Sequence, residues 1–563
     1  MTFAPSQQSP IGTISEILAK SILQNVENDG DHTYLHIQEE SKSQLPINTE
    51  TKNCIQPLTN VGVHVTQFDQ SFITLEVKIG FKLSEALTAT TPGNDYTDYA
   101  TLARNGTKLF IGFKHNTDCL REYSIYHKGH LVDGTLQSNG SRESFLYHSI
   151  RGQDDLEYHK GEHSLAECVA RGDQASYCGV YVPLSELQAA GTDVFYETFN
   201  INIPYNDILP FQAFTAYPNA IFGKLELYFK FNKDALVYMQ VDPLKSIDDE
   251  YNANYNTKYS STDRTHCDLF RFYLGINHAE YTREYTQIND PATIIEDFTI
   301  TNETAGHINT KQITLSAVNM QIVNCYATVI GEKMLPEVLE AEKAKYMSVP
   351  WVIPSQTVDY YPYSSGVSAS GVNATQQIEL NNVTDFVLTF PQTEHEVTVS
   401  KNPMLKNFLL NTLNRNYPEL SLDTSSARFE RIMMNAADIF RSKPLREFAQ
   451  SISTPRGNES GAIVPQEDLT SFMIILHVER PSAMGLICDG LDSAGHQVSV
   501  RIQGTPIYPG SGIDTYCANH PPAPILYVIY DTFWAFNSQN EGTCVYSDRP
   551  FNDTIGNFMN SEY

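Results

Sequence analysis

The clearest pattern in the chain is an alternation over residues 73–82. Ile73, Leu75, Val77, Ile79 and Phe81 alternate with Thr74, Glu76, Lys78, Gly80 and Lys82. Successive side chains of a strand point to opposite faces, so this period of two predicts a half-buried strand. Leu225, Leu227, Phe229 and Phe231 repeat the pattern against Lys224, Glu226, Tyr228 and Lys230. Shorter strands are expected at 109–113, 123–126, 180–182 and 199–203. In the second half they are expected at 298–300, 313–323, 378–380, 386–390, 472–478, 498–502 and 525–529.

Helical periodicity is rarer. Ile14, Ile17, Leu18 and Ile22 share one face of a helix over 13–25, and Thr13 and Glu16 have capping-box spacing. Pro336 and Glu337 suit the start of a helix over 335–347. Apolar faces also predict helices over 403–414 and 427–440. Residues 26–60 read as polar and irregular, and 84–106, 129–165, 245–266 and 354–377 as long polar loops. Loops of that length usually carry a specific role.

The 563 residues exceed what one hydrophobic core normally serves, so two large units are expected. The polar stretch 246–265 is the best boundary. The expected division is an N-terminal arm (1–60), a first block (61–245), a linker (246–290) and a second block (291–563) with loop insertions and a C-terminal tail. No repeat of 20–50 residues is visible, which disfavours solenoids and propellers. Many short strands with long connections predict an all-β fold with a few short helices, built as sandwiches or barrels. An aromatic content of 11%, with 32 Tyr and 28 Phe, points the same way.

The formal net charge of −28 argues against general or sequence-specific nucleic-acid binding and against docking on an anionic membrane. No run of about 20 apolar residues could cross a bilayer, and the N-terminus lacks the pattern of a secretion signal, so synthesis inside a cell is expected. Nine Cys occur without a C-x-x-C pair, which predicts free, mostly buried thiols in a reducing compartment.

Candidate chemistry is sparse. His159, Glu162 and His163 match H-x-x-E-H, a zinc-protease pattern that needs both histidines on one helix face. Gly161 inside that segment and its flanks oppose such a helix, so a solvated loop is expected. His32 and His36 lie in a segment that favours extended chain, which would hold them roughly 13 Å apart, too far for one ion. Arg171, Gly172 and Asp173 form an RGD tripeptide, a pattern common by chance. The acid pairs Asp154/Asp155 and Asp248/Asp249 read as surface charge. There is no phosphate loop, dinucleotide fingerprint or nucleophile elbow. No catalytic, cofactor-binding or metal site is assigned, no cofactor is expected, and an enzyme is not expected.

Two segments carry a family resemblance. NINIPYNDILPFQAFTAYPNAIFGKLELYFKFN (200–232) resembles the end of the first jelly roll in major capsid proteins of the double jelly-roll lineage. The similarity is to the Polinton/Maverick and virophage branch, related to the adenovirus hexon. KLFIGFKHNTDCLREYSIYHKGHLVDGTLQSNGSRESFLYHSI (108–150) is similar to the same group. The resemblance covers 60–245 best; the second half matches by pattern, notably FVLTFP at 386–391.

The resemblance implies two consecutive jelly-roll β-sandwiches in a trimeric pseudo-hexagonal capsomer, tiling an icosahedral shell around a DNA genome. Its partners would be two further copies of the chain, neighbouring capsomers, a penton protein and minor or cement proteins. Its location would be the virion capsid. The alternatives are an all-β carbohydrate-binding or carbohydrate-active protein, suggested by the aromatic and acidic content, and an adhesion protein, suggested by the RGD tripeptide.

Overall fold

The structure, a computed structural model, describes residues 33–48, 53–83, 108–113, 116–134, 179–183, 186, 193–232, 237–241, 286–287, 315–347, 351–364, 371–390, 405–424, 428–429, 473–478, 490–493, 496–506, 524–537 and 543–547. The helix expected at 13–25 and the strand at 298–300 lie outside them. So do the H-x-x-E-H motif, His32, the RGD tripeptide and both acid pairs.

The strand legible at 73–82 is β5 (Phe72–Leu83). It pairs antiparallel with β10 (Phe195–Pro204), which sets Ile73 opposite Ile203, Leu75 opposite Ile201 and Val77 opposite Phe199. All six side chains are buried, so each pair contributes to one inward face. On the other face Thr74 donates to Asn202 Oδ1 at 2.9 Å, and Lys78 lies over the Tyr196 ring.

The other flank of β5 pairs with β15 (Leu315–Lys333), a 19-residue strand with register shifts after Ala317 and Ile322. Beyond β15 lies β1 (Thr33–Glu40), paired over its whole length. Smaller strands complete this sheet: β2 (Ile47–Asn48), β4 (Val65–Gln67) and β11 (Ala216–Tyr217). Gly331 of β15 is required by close approach, because a Cβ there would overlap the Val65 carbonyl oxygen of β4.

A second sheet faces it, in the order β3 (Cys54–Pro57), β12 (Leu225–Phe231), β7 (Leu120–His127) and β8 (His130–Gly134). Leu225, Leu227 and Phe229 of β12 and Tyr123 and Ile125 of β7 join the inward face of β5 in one core. A third sheet, β14 (Thr286–Gln287), β13 (Val237–Val241), β6 (Lys108–Gly112) and β9 (Gly179–Pro183), is built from segments inserted between the others. Ile111 and Val182 attach it to the same core.

The second half makes a separate core from two sheets. One runs β16 (Trp351–Pro362), β23 (Ile525–Asn537), β18 (Val383–Thr389), β21 (Met473–His477), with β24 (Thr543–Ser547) beside β23. The other runs β17 (Val372–Glu379), β22 (Gln497–Pro506), β19 (Leu405–Thr412), β20 (Arg415–Leu422).

The winding decides the fold. Number β16 to β23 from one to eight: one sheet is one–eight–three–six and the other two–seven–four–five. That is a jelly roll, in which strands pair across a folded double ribbon. Number β1, β3, β5, β7, β8, β10, β12 and β15 in the same way. Their sheets run one–eight–three–six and two–seven–four–five again. The chain is a double jelly roll.

Two element expectations, at 403–414 and 354–377, are corrected, and the strand pairing crosses the expected segment bounds. The first roll draws its first two strands from the segment expected to be an irregular arm (1–60), and its last strand, β15, from the segment expected in the second block (291–563). Helix α2 (Pro336–Tyr346) lies between β15 and β16. A shorter helix, α1, spans Asn219–Phe222.

The helix expected at 403–414 is strand β19. A register shift between Lys406 and Leu409, with Asn407 at φ 52°, breaks the period of two and imitates helical spacing. Leu413 and Asn414, both at positive φ, close its turn to β20. The loop expected at 354–377 contains most of β16 and β17. Each pairs along one side only among the described residues, and such edge strands tolerate Pro354 and the polar residues that hid them. Of the helix expected at 427–440, only Arg428 and Phe429 are described, and both are helical.

Phe229 sits at the centre of the first core, 1% exposed. Phe229→Asp places an unpaired charge there, at a cost of several kcal/mol against a typical total stability of ~5–15. The expected outcome is insoluble protein on expression; a soluble variant with wild-type circular dichroism would refute the assignment of β12.

Candidate assembly unit and the aromatic seam

The two rolls meet along a seam of rings. On the first roll the seam is supplied by the connection from β10 to β12. It begins as two 3-10 turns, Tyr205–Asp207 and Leu209–Ala213. Pro210 suits the start of the second turn. Asn116 anchors the first by donating to Asp207 Oδ2 at 2.7 Å and to the Asn202 carbonyl at 2.9 Å. Phe68, fully buried, packs at 5.1–5.7 Å against Tyr205, Phe211, Phe214 and Tyr217. The connection is thus held from beneath and presents its rings outward from the first core.

The second roll answers with the two ends of its β16–β23 pair. Trp351 opens β16 and is paired in register with Phe536 near the end of β23, two residues beyond Trp534. Trp351 stacks on Phe222 at 5.1 Å and 10°, and Trp534 lies 5.1 Å from Phe214. Phe536 lies 5.5 Å from Tyr217 and 5.2 Å from Phe222. Tyr346, at the end of α2, closes the group against Phe222 at 5.1 Å.

One polar contact fixes the register of this apolar joint. The buried Trp534 indole N–H donates to the Pro210 carbonyl at 2.8 Å. A buried indole needs such a partner, and losing it costs about 1–3 kcal/mol. Both tryptophans of the chain lie in the seam. Leu209 crosses the other way and joins the core of the second roll.

His127 sits beside the seam, 5.8 Å from Phe536, with Nε2 2.7 Å from the Phe222 carbonyl. A carbonyl only accepts, so Nε2 carries the proton and donates. Burial, with smaller contributions from Lys128 and His130, lowers its pKa to about 4 despite that hydrogen bond. The Tyr346 hydroxyl is pushed up to about 12, first by burial and then by Glu342.

Among the described residues, no three of His, Cys, Asp and Glu are placed to hold a metal ion. His36 lies on β1, an extended segment as expected from its neighbours, with an exposed side chain. Asp385 and His477 pair at 2.9 Å between β18 and β21. No helix among the described residues is long and apolar enough to cross a membrane.

No model of a known protein family matches the chain, and no curated protein matches it. Solved structures do overlay on it over most of its length. The mavirus major capsid protein is 10% identical, with 94% of this chain and 92% of that one covered at a TM-score of 0.44. The Sputnik virophage structure is 10% identical, with 92% and 88% covered at 0.45. The Faustovirus major capsid protein is 7% identical, with 92% and 98% covered at 0.42. The mavirus and Faustovirus chains are major capsid proteins, the group that the sequence resembles. At that level of likeness the fold stands on the chain's own strand pairing.

The low pKa of His127 sets a sign for pH. Above the unfolded value of 6.5 the ring is neutral in both states. Between 6.5 and about 4 the unfolded chain binds a proton that the folded chain refuses, so stability falls as pH falls. The loss is on the order of 3 kcal/mol at its fullest. Urea midpoints at pH 7 and pH 4.5 should therefore differ less in His127→Gln than in the wild type. Equal differences would show that the ring is not held neutral by its site.

Proposed function

We propose that this chain is a viral major capsid protein. The observation that carries the reading is one winding used twice in one polypeptide, with the copies locked by the aromatic seam. A unit of two joined sandwiches is the natural block for a six-sided capsomer, because three copies around a three-fold axis supply six similar walls. Closed symmetry makes such a trimer self-limiting.

Capsomers of this kind would tile an icosahedral shell around a DNA genome. The net charge of −28 suits a wall that does not condense the genome itself. The partners are two further copies of the chain, neighbouring capsomers, a penton protein at the vertices and minor or cement proteins, and the place of action is the virion. The role is structural, with no catalytic step assigned to any residue. The domain division that fits is a first roll over 33–333 and a second over 351–537, joined by α2.

Light scattering of the purified full chain should give three times 63.3 kDa, and negative-stain microscopy should show six-sided particles or sheets of them. A strict monomer that hydrolyses or binds glycans would overturn the reading in favour of the carbohydrate alternative.

A further inference from the structure

Two thiols meet inside the first roll. Cys54 opens β3 in the second sheet, and Cys325 lies in β15 of the first. Their sulfur atoms are 3.5 Å apart, and both residues are 1% exposed. Ser41 Oγ lies 3.4 Å from Cys54 Sγ, while the Cys325 thiol donates to Gln56 Oε1 at 3.2 Å. The Ser41 N–H also binds the Cys325 carbonyl at 3.1 Å, which holds the N-terminal segment against β15. A disulfide needs the sulfurs about 2.05 Å apart, about 1.5 Å closer than they stand here.

We infer that Cys54 and Cys325 are a modification site, a dithiol that closes to a disulfide on exchange with a low-molecular-weight disulfide such as oxidised glutathione. This inference stands independently of the proposed function. The two thiols differ in a useful sense. Hydrogen bonding with Cys325 holds the Cys54 thiol below the usual range, and the same contact with burial pushes Cys325 up. Cys54 is therefore the first nucleophile. Access requires local opening of β3, a four-residue strand whose one strand partner among the described residues is β12 and whose other flank is held by residues 41–43 through the Ile55 N–H and carbonyl.

The step balances. The Cys54 thiolate, its proton lost to solvent, attacks one sulfur of oxidised glutathione, breaks that S–S bond and expels one glutathione thiolate. Cys325 then gives its proton to solvent and attacks Cys54 Sγ, expelling the second. The protein loses two electrons and two protons, and one oxidised glutathione becomes two reduced molecules. The cross-link joins residues 271 apart in sequence and ties the second strand of the roll to its last. A loop that long constrains the unfolded chain strongly.

The test uses the reduced full chain under native conditions at pH 8 with oxidised glutathione. Denaturation in the presence of an alkylating agent, then proteolysis and mass spectrometry, reads the product. The expected result is a linked pair of peptides containing Cys54 and Cys325, lighter than their sum by two hydrogens. The thermal midpoint should rise over the reduced chain by several degrees, and this rise should vanish in Cys325→Ala. Recovery of both residues alkylated, or a lasting glutathione adduct without the link, would overturn the proposal. The mass readout is made on the wild type, so a variant that folds poorly leaves the result standing.

Discussion

The architecture depends on how the ends of two sandwiches are sealed. A jelly roll buries its inner faces, but the edges and turns of its sheets expose apolar rings at one end. Here those rings bury each other. Phe214, Tyr217 and Phe222 from one roll meet Trp351, Trp534 and Phe536 from the other, at centroid distances typical of favourable aromatic pairs. Each such contact adds about 0.5–1.5 kcal/mol beyond the area that it buries. Several together are comparable with the stability of a domain, so the joint is a core and not a hinge. The hydrogen bond from Trp534 to Pro210 selects one register within an otherwise slippery apolar contact.

The duplicated winding explains where variation is tolerated. In both rolls the partners that pair are far apart in sequence: β1 meets β15, and β16 meets β23. The core strands are fixed by two sheets at once, while the segments between them are free to lengthen. The first roll uses this freedom most. Its third sheet is made from inserted strands, and its last strand follows β13 by more than 70 residues of sequence. Helix α2 then carries the chain across to Trp351 and places Tyr346 in the seam on the way.

What the sequence made legible follows from exposure. Strands with one wet face, such as β5 and β12, kept their period of two and were readable. Three edge strands were not: β1, β16 and β17 carry polar residues on both faces and pair along one side only among the described residues. In β19 the shift at Asn407 erased the period. The seam was hidden for another reason. Residues 205–222 hold a dense run of Phe and Tyr with three prolines nearby, but 3-10 turns impose neither a period of two nor one of 3.6. A signal was present in the two tryptophans, placed at the start and near the end of the second half. Nothing local ties them to residues 210–222, since that contact exists only after both rolls have formed.

Because both tryptophans report on the seam and circular dichroism reports on every strand, one denaturant titration separates the joint from the sheets it joins. The account predicts that Trp emission shifts to the red in the same transition in which the β signal is lost. A shift of Trp emission at lower denaturant, with the β signal intact, would mean two independent sandwiches and would contradict the seam as the bond between them.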